Sequence, residues 1–292
     1  MDNSQKTLRD QIRLWKNHWI KQYLNYRVYN NPEPFSIALK KRPCRVLWIL
    51  SHMRSGSSLL THILNANPEI IGYGETHITY RSPQDYKQLI KRVYWEGQDY
   101  RKLSDLPKLA FQEKYVLDKI LHNDRLPNLD LLAPENVRVL FLAREPRRSL
   151  MSIRDLKPNW SEAEALGYYC NRLKTLITYA ETIDSKERSL LVQHDQLINK
   201  SALVFESLQH FLSTDTRFTE NYGILKTTGK KHVGDHRGNI LTGQIVRSQR
   251  KIDQTVSPAI LDEAQLVYQQ FLQKMEQLSS VIESNIQLDI AA

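Results

Sequence analysis

The densest chemistry in the sequence lies in the run Ser51-His52-Met53-Arg54-Ser55-Gly56-Ser57-Ser58, which follows a short apolar block and precedes a helical one. A turn that ends a strand and opens a helix presents backbone N–H groups at the positive end of that helix, and this is an anion site. Arg54 at its lip adds a bidentate cation, Ser55, Ser57 and Ser58 add hydroxyl donors, and Gly56 lets the backbone approach closely. Phosphate or sulfate is the expected ligand; the same fragment also reads as a plain strand-to-helix turn. A second cluster follows the apolar run Val137 to Ala143, where Arg144 sits at the run's end and Ser152 eight residues later on the next helix. In an open parallel sheet the strand ends meet the ligand in one crevice, so Arg54 and Arg144 are expected to face one site, with Ser152 joining Arg144 on a further phosphate. The competing reading is a solvated turn built from Arg144, Glu145, Arg147 and Arg148.

The nucleotide loop GxxxxGK[ST] is absent, since no glycine stands five positions before Gly56 and no lysine follows it. That argues against an ordinary ATPase or GTPase. Cys44 and Cys170 have no CxxC or Cys/His spacing, so neither a disulfide scaffold nor a zinc site is expected, and two reduced core thiols are. His52, His122 and His194 fall beside strand ends but are too scattered to form a metal triad.

These groups need a frame. Cys44 to Leu50, Lys114 to Ile120, Val137 to Ala143 and Ser189 to Asp195 read as buried strands. Between and after them, Leu59 to Leu64, Arg147 to Asp155, Glu162 to Ile183 and Ser201 to Leu212 read as helices. A last helix starts at Pro258 with Ser257 as its N-cap. Alternating strands and helices imply an α/β fold: three layers, with a central parallel sheet flanked by helices, as in P-loop proteins. From 221 to 252 the chain turns polar, basic and glycine-dotted, which suggests a long loop or lid carrying Lys230, Lys231 and Arg237.

The 292 residues carry a formal charge of +9, and residues 1–45 hold ten basic residues against three acids, hence most of the excess. A charge confined to one end argues for a local anionic contact and against a nucleic-acid groove. In the same segment Leu8, Ile12, Trp15, Trp19, Tyr23 and Leu24 form an apolar stripe at helical spacing. Docking on the body of the protein is the favoured reading of that stripe, with a membrane surface as the alternative. The chain is therefore divided into a basic amphipathic segment, 1–42, and an α/β domain, 43–292. No apolar run approaches the ~20 residues of a membrane span, and the N-terminus lacks a secretory apolar block, so a cytoplasmic location is expected.

Taken together, HMRSGSSLLTHIL after a strand, FLAREPRRSLMSIRD with arginine and serine eight apart, and YVLDKILHN resemble the sulfotransferases that use 3′-phosphoadenosine 5′-phosphosulfate (PAPS). The layout is most similar to the arginine-type branches, the tyrosylprotein and bacterial carbohydrate enzymes. The resemblance implies that Arg54, Lys119 and the amides of Ser55 to Ser58 bind the phosphosulfate end, that Arg144 and Ser152 hold the 3′-phosphate, and that no metal is needed. It also implies that Glu75, twenty-one residues after Arg54, is the general base, with His77 as its rival. Lys119 alternatively reads as a strand-end lysine paired with Asp118. YGET and DKIL depart from the tyrosylprotein pattern, so the acceptor stays open among carbohydrate, lipid, phenol and other hydroxyl compounds. Its pocket is sought in 76–112 and 157–188, where Tyr80, Tyr94, Trp95, Trp160, Tyr168 and Tyr169 fall. Two other readings remain: a P-loop-related ATP-dependent phosphotransferase, and a catalytically silent protein that binds anions or membrane surfaces.

Overall fold

The run RVLWILS is apolar on both faces, which only a strand covered above and below can tolerate. In the computed structural model, which describes residues 3–98, 100, 103–229, 238–248 and 252–282, it forms β1 (Arg45–Ser51) at the centre of a six-stranded sheet. The sheet order is β2 (Ile70–Gly72), β3 (Tyr115–Ile120), β1, β4 (Val137–Ala143), β5 (Ser189–Gln193) and β6 (Ser280–Val281). All pairs are parallel. The expected three-layer α/β architecture is what forms. The pleat sends Val46, Trp48 and Leu50 into one core layer and Leu47 and Ile49 into the other.

The second layer is built by α2 (Ser57–Asn65), α6 (His194–Asn199) and α7 (Ser201–Leu212). The first is covered by α3 (Gln84–Glu96), α4 (Pro146–Leu156), α5 (Glu162–Ile183) and α8 (Pro258–Leu278). Local chemistry sets the helix starts: Pro146 opens α4, and Ser161 and Glu164 form a reciprocal capping box on α5. Ser257 stands at the N-cap of α8, but its hydroxyl makes no capping bond; its N–H donates to Glu162 Oε2 at 3.1 Å. The short edge strands β2 and β6, and α3, are not apparent from the sequence pattern. Cys44 and Cys170 are buried free thiols, which burial pushes up to about 11.

The N-terminal helix α1 (Asn3–Tyr29) corrects the expected docking. The face held on the body carries Ile20, Leu24 and Val28, together with a buried Arg27 that donates to the carbonyls of Ala38 and Leu109 and lies 4.6 Å over the ring of Phe111. Of the stripe read from sequence only Leu24 is buried; Leu8, Ile12, Trp15, Trp19 and Tyr23 face outward. Among the described residues no helix is long and apolar enough to cross a membrane.

Two buried groups fix the strand ends from which the site is built. Arg172 of α5, 1% exposed, donates from Nε to the Ser51 carbonyl, from Nη2 to the Ile120 carbonyl and from Nη1 to Asn123 Oδ1, each at 2.8 Å. It thereby ties the ends of β1 and β3 together. His52 ties β1 to β4: its Nε2 accepts the Arg144 N–H at 3.1 Å, so the proton sits on Nδ1 and is donated to the Met53 carbonyl at 2.8 Å.

Replacing Arg172 with Ala leaves two buried carbonyls and an amide oxygen unpaired, so chemical denaturation is expected to show a loss of about 3 kcal/mol. Burial, the largest cause, lowers His52 from 6.5 to about 4. The unfolded chain then takes up a proton that the folded protein refuses, and stability that is complete above the unfolded value is lost as the pH falls towards 4. His52→Gln keeps an acceptor without a titrating ring, and its melting temperature is expected to fall less over that range than that of the wild type. Identical profiles would remove His52 as the cause.

Candidate functional site

The turn between β1 and α2 is shaped by two left-handed residues, Arg54 at φ 66° and Gly56 at φ 95°. Such alternation curls successive N–H groups into a concave nest. Space is also short at Gly56, where a Cβ would stand 2.6 Å from His194 Cδ2. It is the N-cap of α2, and no side chain caps the helix. Under the loop, Ser55 is fully buried and its hydroxyl bonds that of Ser51, which donates to the Leu142 carbonyl at 2.8 Å. The Ser55 side chain thus braces the loop from below, while Arg54, Gly56, Ser57 and Ser58 line a cavity of about 670 Å³.

Glu75 and Lys119 meet on the wall of the same cavity, with Glu75 Oε2 3.2 Å from Lys119 Nζ, both groups nearly enclosed. Lys119 also donates to Ser58 Oγ at 3.4 Å, and His77 Nδ1 lies 3.6 Å from Glu75 Oε1. The Asp118–Lys119 pairing considered from sequence does not form, because consecutive strand residues point to opposite faces. Lys119 shares the α2 side with Tyr115 and Leu117, while Asp118 shares the other face with Val116 and Ile120. There Asp118 accepts from the Thr76 N–H at 3.0 Å, the Thr76 hydroxyl and the Tyr80 hydroxyl at 2.7 Å. Burial raises its pKa and these three donors oppose the rise. With Arg92 donating to the Thr76 carbonyl and Arg125 to that of His77, they hold the segment that carries Glu75.

Arg144 reaches the cavity from β4, and its Nη1 donates to the Arg54 carbonyl at 3.3 Å. Burial lowers it to about 10, still charged at neutral pH. Ser152 is buried behind the cavity wall and accepts from Arg54 Nε at 2.8 Å, so the loop after β1 and the helix after β4 are in direct contact. His122 and His194 line the cavity. Burial, assisted by Arg144, His52 and Arg148, brings His194 down to about 3, so it stays neutral.

The remaining wall comes from residues that carry no motif: Leu156, Ile198, Tyr222, Ile240, Gln244 and Val246. Of the 221–252 segment, the described stretches 221–229 and 238–248 are joined by pairing of Asn221 with Gln244 and by the Tyr222 N–H donating to the Gly243 carbonyl at 2.8 Å. Its polarity and glycines are the only sequence signal for this. Lys230, Lys231 and Arg237 lie outside the described residues. The aromatics proposed for the acceptor pocket do not line the cavity: Tyr80, Tyr94 and Tyr169 are fully buried in the core, and Trp95 and Trp160 pack against it. Tyr168 stands behind the loop, accepting from the Met53 N–H at 2.8 Å and donating to the Leu121 carbonyl at 2.9 Å. Of the two proposed segments, His77 and Lys157 reach the wall.

No protein-family model matches the sequence, and no curated protein matches it. Solved structures do. A sulfotransferase domain from the curacin biosynthetic pathway superposes with a TM-score of 0.51 at 14% identity, covering 80% of this chain and 99% of that one. The sulfotransferase domain of the Synechococcus PCC 7002 olefin synthase gives 0.48 at 18% identity, with 82% and 96% covered. A mouse sulfotransferase complexed with PAP gives 0.40 at 11%, with 67% and 66% covered. The chain that holds Arg54, Glu75, Lys119 and Arg144 around one cavity thus has a sulfotransferase fold.

Proposed function

We propose that the protein is a sulfotransferase that moves the sulfuryl group of PAPS to a hydroxyl of its acceptor. The observation that carries this reading is the convergence of Arg54, Lys119, Arg144 and the start of α2 on one cavity whose wall also holds Glu75. Three cations and a helix N-terminus suit a ligand with phosphate at two ends. The apolar stretch formed by Ile198, Tyr222, Ile240 and Val246 suits a base between them. The cavity's volume, about 670 Å³, lies within the usual range for a ligand of nucleotide size.

PAPS supplies a neutral SO3 unit on a phosphate leaving group. An acceptor oxygen forms the new S–O bond as the bond to the 5′-phosphate breaks, so the protein must take one proton and stabilise one developing charge. Glu75 takes the proton from the acceptor hydroxyl. Lys119 lies between Glu75 and Ser58 and meets the charge on the breaking side together with Arg54 and the amides of Ser55 to Ser58. Arg144, with Ser152 braced against Arg54, holds the 3′-phosphate. Asp118 acts through Thr76 and Tyr80 as a positioning residue for Glu75. The acceptor is a hydroxyl compound that reaches Glu75, His77 and His122.

Calorimetric titration with 3′-phosphoadenosine 5′-phosphate is expected to show binding that does not depend on added metal, weakened roughly tenfold or more by Arg144→Ala. Failure of the wild type to bind, together with turnover that requires ATP, would overturn the reading in favour of phosphoryl transfer. Glu75→Gln is expected to retain nucleotide binding while lowering kcat about a hundredfold or more. A comparable loss in His77→Gln with Glu75→Gln active would make His77 the base.

A further inference from the structure

Among the described residues, the charged groups that line the cavity are the cations Arg54, Lys119, Arg144 and Lys157 and one carboxylate, Glu75. Nucleotide binding and proton transfer employ all of them except Lys157. The chain around Lys157 sets its place. At the end of α4 its N–H donates to the Ile153 carbonyl at 2.8 Å, and its own carbonyl accepts the Trp160 N–H at 2.9 Å, closing a turn through Pro158. That turn lays Nζ over the Trp160 ring, 5.8 Å from the centroid. Trp160 in turn contacts Tyr168, and Tyr168 contacts His122, each pair with ring centroids 5.8 Å apart. His122 stands in the field of Glu75, which opposes the lowering of its pKa by burial. Lys157 therefore belongs to the Glu75 end of the cavity, whereas the apolar stretch suited to the base comes from α6 and from residues 222–246. Leu121 and Leu156, the sequence neighbours of His122 and Lys157, add apolar wall at the Glu75 end.

A lysine at the end of a helix ordinarily serves the last carbonyls or a neighbouring acid. Lys157 does neither among the described residues: the acid that opens the next helix, Glu162, is taken by Arg154 at 3.1 Å and by the Ser257 N–H. The indole face holds the ammonium without neutralising it. With a single carboxylate on the wall, itself paired with Lys119, the cavity draws anions and repels cations. One ammonium, with Arg154 committed to Glu162 and the Thr255 carbonyl, matches a singly charged carboxylate; a phosphate dianion ordinarily collects more donors. We propose that the acceptor is a hydroxy acid: its carboxylate pairs with Lys157, its apolar part lies along Leu121 and Leu156, and its hydroxyl reaches Glu75. This rests on the sulfotransferase reading of the same cavity. The acceptor oxygen forms its bond to sulfur as the bond from sulfur to the 5′-phosphate oxygen breaks, and the proton passes to Glu75. The products are the sulfate ester of the acid and 3′-phosphoadenosine 5′-phosphate.

Transfer from sulfur-labelled PAPS to a series of ω-hydroxy fatty acids, from short to long, tests it beside their methyl esters and the amino alcohols of matching length. The best acid is expected to exceed its ester about tenfold in kcat/KM, chiefly through KM, with the amino alcohol poorest. Lys157→Met is expected to abolish the difference between acid and ester, Lys157→Arg to keep it, and Lys157→Glu to turn it towards the amino alcohol. The Lys157 side chain is exposed, so the melts of all three variants are expected to match that of the wild type. Absence of an acid preference in a wild type that binds 3′-phosphoadenosine 5′-phosphate would overturn the proposal, whether acid and ester are both sulfated or neither is. So would a preference that survives Lys157→Met and Lys157→Glu, or a loss of nucleotide affinity in Lys157→Met equal to the loss in kcat/KM, since Lys157 would then serve the nucleotide. A wild type that binds no nucleotide fails the reading of the cavity itself, a result that calorimetry separates from a lost acid preference.

Discussion

Parallel strands that end at the same edge leave carbonyl oxygens there, and in a protein covered on both faces those carbonyls are cut off from water. Arg172 resolves this for the neighbouring strands β1 and β3. Its guanidinium, buried without a carboxylate, spends three donors on the Ser51 and Ile120 carbonyls and on Asn123. The consequence reaches the site, because Arg54 lies three residues past Ser51 and Lys119 directly precedes Ile120. A planar fork with fixed donor geometry keeps the distance between those strand ends nearly constant, which a lysine's point charge would not do. His52 extends the same arrangement to β4 through the Arg144 amide. The cations on the cavity wall thus belong to one rigid edge.

The Glu75 side of the cavity obeys a different constraint. Glu75 sits on an irregular segment after β2, with no strand ladder to place it. A buried carboxylate, Asp118, gathers the segment by accepting from Thr76 and Tyr80, while Lys119, on the opposite face of the same strand, meets the Glu75 side chain. Two adjacent residues of β3 therefore do complementary work, one holding the backbone near Glu75 and the other pairing its carboxylate. The period-two pleat makes that division unavoidable.

α1 shows how one helix carries two apolar faces. Its C-terminal half is held by apolar contacts and by Arg27 over Phe111, and this leaves the aromatic stripe no place on the body. Reading the stripe as the docking face picks the more strongly apolar side; the side that packs is narrower and includes a buried arginine. Hydrophobicity alone does not say which of two apolar faces a body covers, since that depends on the shape of the surface opposite.

Much of the frame is legible in the residues. Apolar runs of strand length alternating with helical periodicity determine a parallel α/β sheet, and the RSGSS turn and Arg144 locate two strand ends that meet at one cavity, because backbone geometry and local charge depend on neighbours in sequence. Tertiary structure alone decides the rest. Ser152 meets Arg54 and not open space, Ser55 braces the loop from beneath, and Tyr80, Tyr94 and Tyr169 are core. Likewise only the fold reveals that Tyr222, Ile240 and Gln244 complete the cavity, that His194 stands against Gly56, and that Lys119 pairs with Glu75 over its neighbour Asp118. The reason is physical: burial and side-chain pairing are set by residues far apart in the chain, and a period or a motif records only which way a residue points from its own backbone.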